Sequence, residues 1–194
     1  RPRHWSGATE PVDFFDVKGL AEAIAAHCRT EFTWSEDTWA PLQTGQTALV
    51  QMDDKLIGHV GKVASAVRKN LDIDQDVYVV DLDLSTVLRD SAAPPQFVEI
   101  PAFPASLRDL AVVVPTQTPA GALVQTVRKA GGKLLQQVEI FDVFSGSQVG
   151  EGMKSVALSL TFQSQERTLT DIDTQKSTDK ILKQLQNAHG AVLR

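Results

Sequence analysis

Three side chains in the second half of the sequence have the chemistry to hold an unpaired base. Asp142 and Phe144 end one predicted strand, and Ser155 begins the next. The Phe144 ring offers a stacking surface, the Asp142 carboxylate can accept from the N–H groups of a guanine edge, and the Ser155 hydroxyl can add a hydrogen bond. These residue types indicate a site for single-stranded nucleic acid, provided that the fold places them on one uncovered surface.

The alternation of side chains predicts such a surface. In residues 154–162 every second side chain is large and apolar and must pack under helices, and the side chains between them are small or polar. In the preceding strand Phe141 and Val143 suit the covered face, which leaves Asp142 and Phe144 on the open one. From the pattern alone an alternative stays open, in which Phe144 closes a hairpin end and Asp142 is merely solvated.

The elements that must position these residues follow the order β-α-β-β-α-β. Strands are predicted at 107–114, 134–144, 154–162 and 190–193, and helices at 120–130 and 170–188. This order is the split βαβ of ferredoxin-like domains, and it predicts an antiparallel sheet with helices on one face.

A separate mixed module is predicted before this domain. Residues 12–16 are expected to be extended, 17–28 and 64–70 helical, and 47–52, 56–63 and 77–84 strands. Residues 91–97 contain paired prolines that continue neither helix nor sheet, which predicts a linker. The sequence therefore predicts an α+β fold in two domains, residues 1–90 and 98–194.

Composition limits the possible functions. The single cysteine, Cys28, excludes an internal disulfide, and the four histidines lack metal-ligand spacing, so we expect neither a metal site nor a catalytic site. Residues 150–155 superficially resemble a phosphate loop but join two strands instead of a strand and a helix. No apolar run or leader indicates a membrane, which favours a cytoplasmic location. A first residue other than methionine suggests a piece of a longer protein.

Charge is unevenly distributed between the predicted domains. The net charge of −5 argues weakly against nucleic acid, because phosphate contacts need Lys and Arg. Residues 1–97 contain nine basic and fifteen acidic side chains, whereas residues 98–194 contain ten and nine. A balanced domain can bind RNA when base stacking carries much of the energy.

Seven segments, in order, resemble motifs of bacterial phenylalanyl-tRNA synthetase β subunits. They are similar to that family's DFYDLKG, PGQSA, IGxVGxV, FPxxxRDLA, FDVYxG, GxKS and xRTLTD, and lie at residues 12–19, 44–48, 57–63, 103–111, 141–146, 152–155 and 166–171. Phe144 stands where Tyr is common. Ala64 and Ser65 stand where the family usually has His-Pro, which indicates a different entry to the next helix.

The resemblance implies a fold and an assembly. Residues up to about Arg89 would form a module related to class II synthetase catalytic domains but without their ATP-binding arginines. The following domain would be the ferredoxin-fold anticodon-binding domain. The chain would be the C-terminal portion of a β subunit of phenylalanine–tRNA ligase that packs against the catalytic α subunit in an (αβ)₂ assembly. ATP and Mg²⁺ would serve the complete enzyme, with no cofactor in this chain.

The resemblance also assigns roles on the open face, which would bind the tRNA(Phe) anticodon with guanine at its first position. Asp142 would accept from the guanine edge, Phe144 would stack, and Ser155 would add a hydrogen bond. Lys154 and Arg108 are weaker expectations for phosphate contacts. Arg108 could equally pair with Asp109 or another carboxylate and fix the first strand.

Two other function classes occur on ferredoxin-like folds. A ferredoxin-like regulatory module that binds amino acids would present a glycine-containing loop at the first strand-helix junction, where this chain has residues 115–119, Pro-Thr-Gln-Thr-Pro. An acylphosphatase-like enzyme would need a phosphate-binding loop there, and the prolines remove the necessary N–H groups. Neither alternative explains the first ninety residues.

Overall fold

The computed structural model describes residues 11–90, 97 and 99–194. The chain divides into two compact units, 1–96 and 97–194, and each contains one antiparallel sheet with helices. The predicted linker at 91–97 lies, apart from Phe97, outside the described residues. Within the described part of the chain, the model contains no helix with the length and apolar character required to cross a membrane.

The first unit is a four-stranded sheet with helices packed on it. Its elements are α1 (Phe14–His27), β1 (Thr33–Glu36), β2 (Leu42–Met52), β3 (Lys55–Val63), α2 (Ser65–Asn70), β4 (Tyr78–Leu82) and α3 (Leu84–Asp90). The strands lie in the order β1-β2-β3-β4. Buried residues of α1 and α3, Ala21, Ala25 and Val87, form one core with Val50, Met52 and Val60 of the sheet.

Capping carboxylates explain two differences from the sequence-based expectation. The Asp13 carboxylate accepts from the backbone amides of Phe15 and Asp16, so α1 begins at Phe14 and the predicted extended segment 12–16 is wrong beyond Asp13. The Asp83 carboxylate likewise accepts from the backbone amides of Ser85 and Thr86 at the start of α3. This helix was not predicted, because the alternation of residues 77–84 indicated only a strand. The short strand β1 was also not predicted.

Two glycines allow the strands of the first unit to approach closely. A Cβ at Gly58 would clash with the backbone carbonyl of Asp81 in β4. A Cβ at Gly61 would lie 2.5 Å from the backbone oxygen of Gln46 in β2. Side chains at these positions would push the neighbouring strands away from β3.

The second unit has the predicted ferredoxin-like fold. Its elements are β5 (Ser106–Pro115), α4 (Ala120–Gly131), a 3₁₀ turn (Gly132–Leu134), β6 (Leu135–Phe144), β7 (Met153–Phe162), α5 (Asp171–His189) and β8 (Val192–Leu193). The strand order β6-β7-β5-β8, antiparallel throughout, confirms the βαββαβ topology. The last strand is shorter than predicted because Gly190, with a φ of 63°, ends α5 in the left-handed conformation.

Both helices of the second unit pack on one face of its sheet. Fully buried side chains from β5 and β7, Val112, Val114, Val156, Leu158, Leu160 and Phe162, contact Leu123 and Val127 of α4 and Ile181 and Leu185 of α5 in a single core. The helix α5 starts with a capping box in which Thr170 and Asp173 exchange hydrogen bonds. Arg167 makes a bidentate ion pair with the same Asp173 carboxylate at 2.7 and 3.0 Å.

Candidate nucleic-acid interface

The second unit leaves one sheet face without a helix. Alternation and strand register assign fourteen residues to this open face: Gln137, Glu139, Asp142 and Phe144 of β6; Ser155, Ala157, Ser159 and Thr161 of β7; Leu107, Asp109, Ala111 and Val113 of β5; and Val192 and Arg194 at the last strand. The residues of β7 here are small, so groups at the sheet edges can reach across the middle strands.

A bulge at Phe141 decides which face Asp142 and Phe144 occupy. Ile140 pairs with Leu158 of the covered face, whereas Asp142 pairs with Ala157 of the open face. Phe141 is the extra residue between them, and it reverses the alternation of the rest of the strand. Its side chain is 59% exposed, so the prediction that Phe141 is covered is wrong. Asp142 and Phe144 nevertheless lie on the open face, as the pattern predicted.

Phe144 lies directly opposite Ser155 across the β6–β7 ladder. The ring is 37% exposed, but Ser155 is only 3% exposed. Gly146 lies at the tip of the ring, where an added Cβ would be 2.9 Å from the ring Cζ. The open face therefore presents the Phe144 ring, whereas Ser155 is almost completely buried.

Arg194 contributes to this face and was missed by the sequence analysis. Its guanidinium carbon lies 5.6 Å from the centroid of the Phe144 ring, within the range of a cation–π contact. Its backbone amide donates to the Ala111 carbonyl at 3.0 Å, which extends the β5–β8 pairing by one residue. The alternation of the last residues could have predicted which face of the sheet Arg194 occupies. It could not have predicted a contact with the ring of Phe144, which lies fifty residues earlier in the sequence.

Lys154 and Arg108 lie on the opposite side of the sheet from the other three predicted site residues. Lys154 pairs with Val114, and Arg108 pairs with Leu160, both of which point into the core. Arg108 forms an ion pair with Asp171 at the start of α5. This contact favours the alternative in which Arg108 fixes the first strand through a carboxylate.

The described residues contain no metal-binding cluster, and the turn between β6 and β7 is not a phosphate loop. Within them, no group of three or more His, Cys, Asp or Glu side chains could hold a metal ion. The glycines at 150 and 152 take positive φ values of 94° and 72° in the turn between β6 and β7, and no helix follows them. This turn therefore lacks the helix N-terminus that a phosphate loop uses.

Comparison with known families identifies the second unit as a ferredoxin-fold anticodon binding domain. Residues 101–194 match the model of the ferredoxin-fold anticodon binding domain, and residues 1–84 match that of the phenylalanyl tRNA synthetase beta chain CLM domain. The chain belongs to the family of phenylalanine–tRNA ligase β subunits, as the resemblance in its motifs implied.

Individual relatives agree with this assignment over the whole chain. The phenylalanine–tRNA ligase beta subunit of Bacillus subtilis is 39% identical over 198 residues, and that of Bacillus licheniformis is 40% identical over 194, which cover 100% and 98% of this chain. The Moorella thermoacetica subunit is 34% identical over 195 residues and also covers 100% of it. The chain spans about a quarter of the length of these relatives, 24% in each case.

Proposed function

We propose that the second unit binds the anticodon loop of tRNA(Phe) through its open face. The observation that carries this proposal is the position of Asp142 and Phe144 on the uncovered side of the sheet, beside small side chains of β7. A ring and a carboxylate that share an uncovered surface can stack with a base and select its donor edge.

Each side chain has a distinct task in this proposal. Phe144 stacks on the first anticodon base, which stabilises binding without regard to sequence. Asp142 accepts hydrogen bonds from the N–H groups of guanine, and an ionised carboxylate, which only accepts, disfavours bases that present an acceptor there. Ser155 joins the contact if the bound base shifts the Phe144 ring. Lys154 contacts a phosphate from the start of β7, near the β6–β7 turn, whereas Arg108 keeps its ion pair with Asp171.

The first unit is proposed to support assembly. We assign it the role of a catalytic-like module, related to class II synthetase catalytic domains, that packs against an α subunit in an (αβ)₂ phenylalanine–tRNA ligase. ATP and Mg²⁺ would then act in a part of the enzyme outside the described residues, and the complete enzyme would aminoacylate tRNA in the cytoplasm. Co-purification with a tagged α subunit tests this role, and recovery of the chain only in the unbound fraction would contradict it.

Binding of an RNA stem-loop tests the principal proposal. The full chain should bind a fluorescent tRNA(Phe) anticodon stem-loop, and Phe144→Ala should weaken this binding while Lys180→Ala, on the exposed surface of α5, should not. Calorimetric titration with amino acids tests the regulatory alternative in the same preparation. Saturable amino-acid binding without stem-loop binding would overturn the proposal.

A further inference from the structure

We propose that Arg194 is a second base-reading residue, which donates to the O6 and N7 acceptors of the guanine that Asp142 selects. The inference rests on the proposed function, because it assigns a further contact within the same RNA site. Arg194 would add a hydrogen-bond donor to the site, where Asp142, the other charged residue that selects the base, is an acceptor.

Asp142 and Arg194 lie at opposite ends of one cross-strand row. Asp142 pairs with Ala157, and Ala157 pairs with Ala111. The hydrogen bond from the Arg194 amide to the Ala111 carbonyl completes the row at the other edge of the sheet. A carboxylate and a guanidinium are therefore held at the two edges, with only two methyl side chains between them.

The space above this row suits a flat ring. Neighbouring strands are about 4.8 Å apart, so the backbones at the two ends of the row are separated by about 14 Å. Arg194 extends inward from its edge, since its guanidinium reaches the ring of Phe144, which starts from the opposite edge strand. The alanine side chains of the middle strands are small, so neither of them blocks a flat ring that approaches this row.

The two ends of the row complement two edges of guanine. The N1 and N2 groups of guanine donate hydrogen bonds, which an ionised carboxylate accepts. Its O6 and N7 atoms accept, and the planar fork of an arginine matches this pair in bidentate fashion. Adenine presents a donor in place of O6, so it would meet a donor on Arg194. Arg194 therefore adds discrimination at an edge that Asp142 does not contact.

The Phe144 ring also prepares Arg194 for this contact. A cation stacked over an aromatic ring is stabilised by the electron density of the ring face. The stack keeps the long side chain over the open face before RNA binds, which reduces the conformational entropy that ordering it would cost. In the complex the guanidinium needs only to turn toward the base edge.

Base analogues separate the two contacts. A stem-loop with 7-deazaguanine at the first anticodon position lacks the N7 acceptor, and one with inosine lacks the N2 amino group. The parent chain should bind each about tenfold more weakly than the guanine stem-loop. Arg194→Ala should bind the guanine and 7-deazaguanine loops equally but keep its sensitivity to inosine. Asp142→Asn should show the reverse pattern.

Two charge variants complete the test. Arg194→Lys keeps the positive charge without the planar fork, so it should restore salt-dependent affinity but not the sensitivity to 7-deazaguanine. Lys180→Ala removes one positive charge from the exposed surface of α5 and should bind every loop like the parent.

Any other pattern of stem-loop affinities among the parent and the variants would overturn the inference. If the parent binds the 7-deazaguanine loop as well as the guanine loop, or if Arg194→Ala keeps the penalty, Arg194 does not contact N7. If Arg194→Ala weakens the binding of every stem-loop by the same factor, Arg194 contacts a phosphate and reads no base. If Phe144→Ala and Asp142→Asn weaken binding while Arg194→Ala binds like the parent, only this inference fails. If none of the three weakens binding, the proposed function fails with it.

Discussion

Phe144 lies directly opposite Ser155 across the β6–β7 ladder, and Phe144 is 37% exposed whereas Ser155 is only 3% exposed. An incoming base therefore meets the aromatic ring before it can reach the hydroxyl. The ring and the hydroxyl should consequently contribute very differently to RNA binding.

Replacement of Phe144 by Ala should weaken anticodon stem-loop binding by about 1 to 3 kcal/mol, because one base stack is lost. The free energy of unfolding should change by less than about 1 kcal/mol, since the ring is partly exposed and outside the core. Fluorescence anisotropy and thermal unfolding measure the two quantities. Phe141→Ala, in the bulge and 59% exposed, is the matched aromatic control and should bind like the parent. An equal loss in both variants would argue against stacking on Phe144.

Replacement of Ser155 by Ala should change binding by less than Phe144→Ala does. The hydroxyl is buried in the unbound protein, and a net hydrogen bond contributes only about 0.5 to 1.5 kcal/mol even when a ligand reaches it. The same anisotropy titration measures the stem-loop affinity of Ser155→Ala for comparison with that of Phe144→Ala. A loss as large as that of Phe144→Ala would mean that the ring moves aside and that the base contacts Ser155 directly.

Gly58→Ala should destabilise the first unit by about 2 to 5 kcal/mol, because the new methyl group would meet the Asp81 carbonyl. All three tryptophans of the sequence precede residue 97, so tryptophan fluorescence follows the first unit alone during denaturant unfolding. Gly19→Ala is the control: nothing lies within 4 Å of that site in α1, and the change should stabilise by up to about 1 kcal/mol. Similar midpoints for both variants would contradict the close approach of β3 and β4.

The start of α5 should lose stability in acid. The pKa of Asp173 is held well below its ordinary value, first by the hydrogen bonds from Arg167 and then by those from Thr170. Because the folded-state pKa is lowered, this stabilisation is complete above pH of about 4 and disappears as the pH falls through the folded-state pKa. The difference in melting temperature between the parent and Asp173→Asn should therefore be constant near neutral pH and shrink below pH of about 4. A difference that is independent of pH down to about 2 would contradict this, and Glu151→Gln, exposed in the hairpin turn, serves as the control.

The parts of the fold that follow from repeating patterns could be predicted from the sequence. Strict alternation in residues 154–162 predicted β7 with its covered and open faces. Thr170 and Asp173 make a capping box, which agrees with a helix predicted from 170, and paired glycines after 130 agree with the end of α4. These features are local, so the sequence of a few residues decides them.

Features that depend on distant partners could not be predicted. The bulge at Phe141 is a mismatch in length between two paired strands, and neither strand alone contains it. Val138 and Ile140 on their own would have predicted the opposite face for Asp142. The stack of Arg194 on Phe144 joins the two edge strands of the sheet, so it exists only once all four strands are assembled.

In the proposed function Asp142 reads a guanine on the open face, and Asp142→Asn tests this role most directly. The variant keeps the shape of the side chain but replaces one acceptor oxygen with an amide that donates. Anisotropy titrations should compare stem-loops with guanine or adenine at the first anticodon position, for the parent and the variant. We expect the parent to prefer guanine and the variant to lose that preference more than its general affinity. A guanine preference in Asp142→Asn equal to that of the parent would contradict the account.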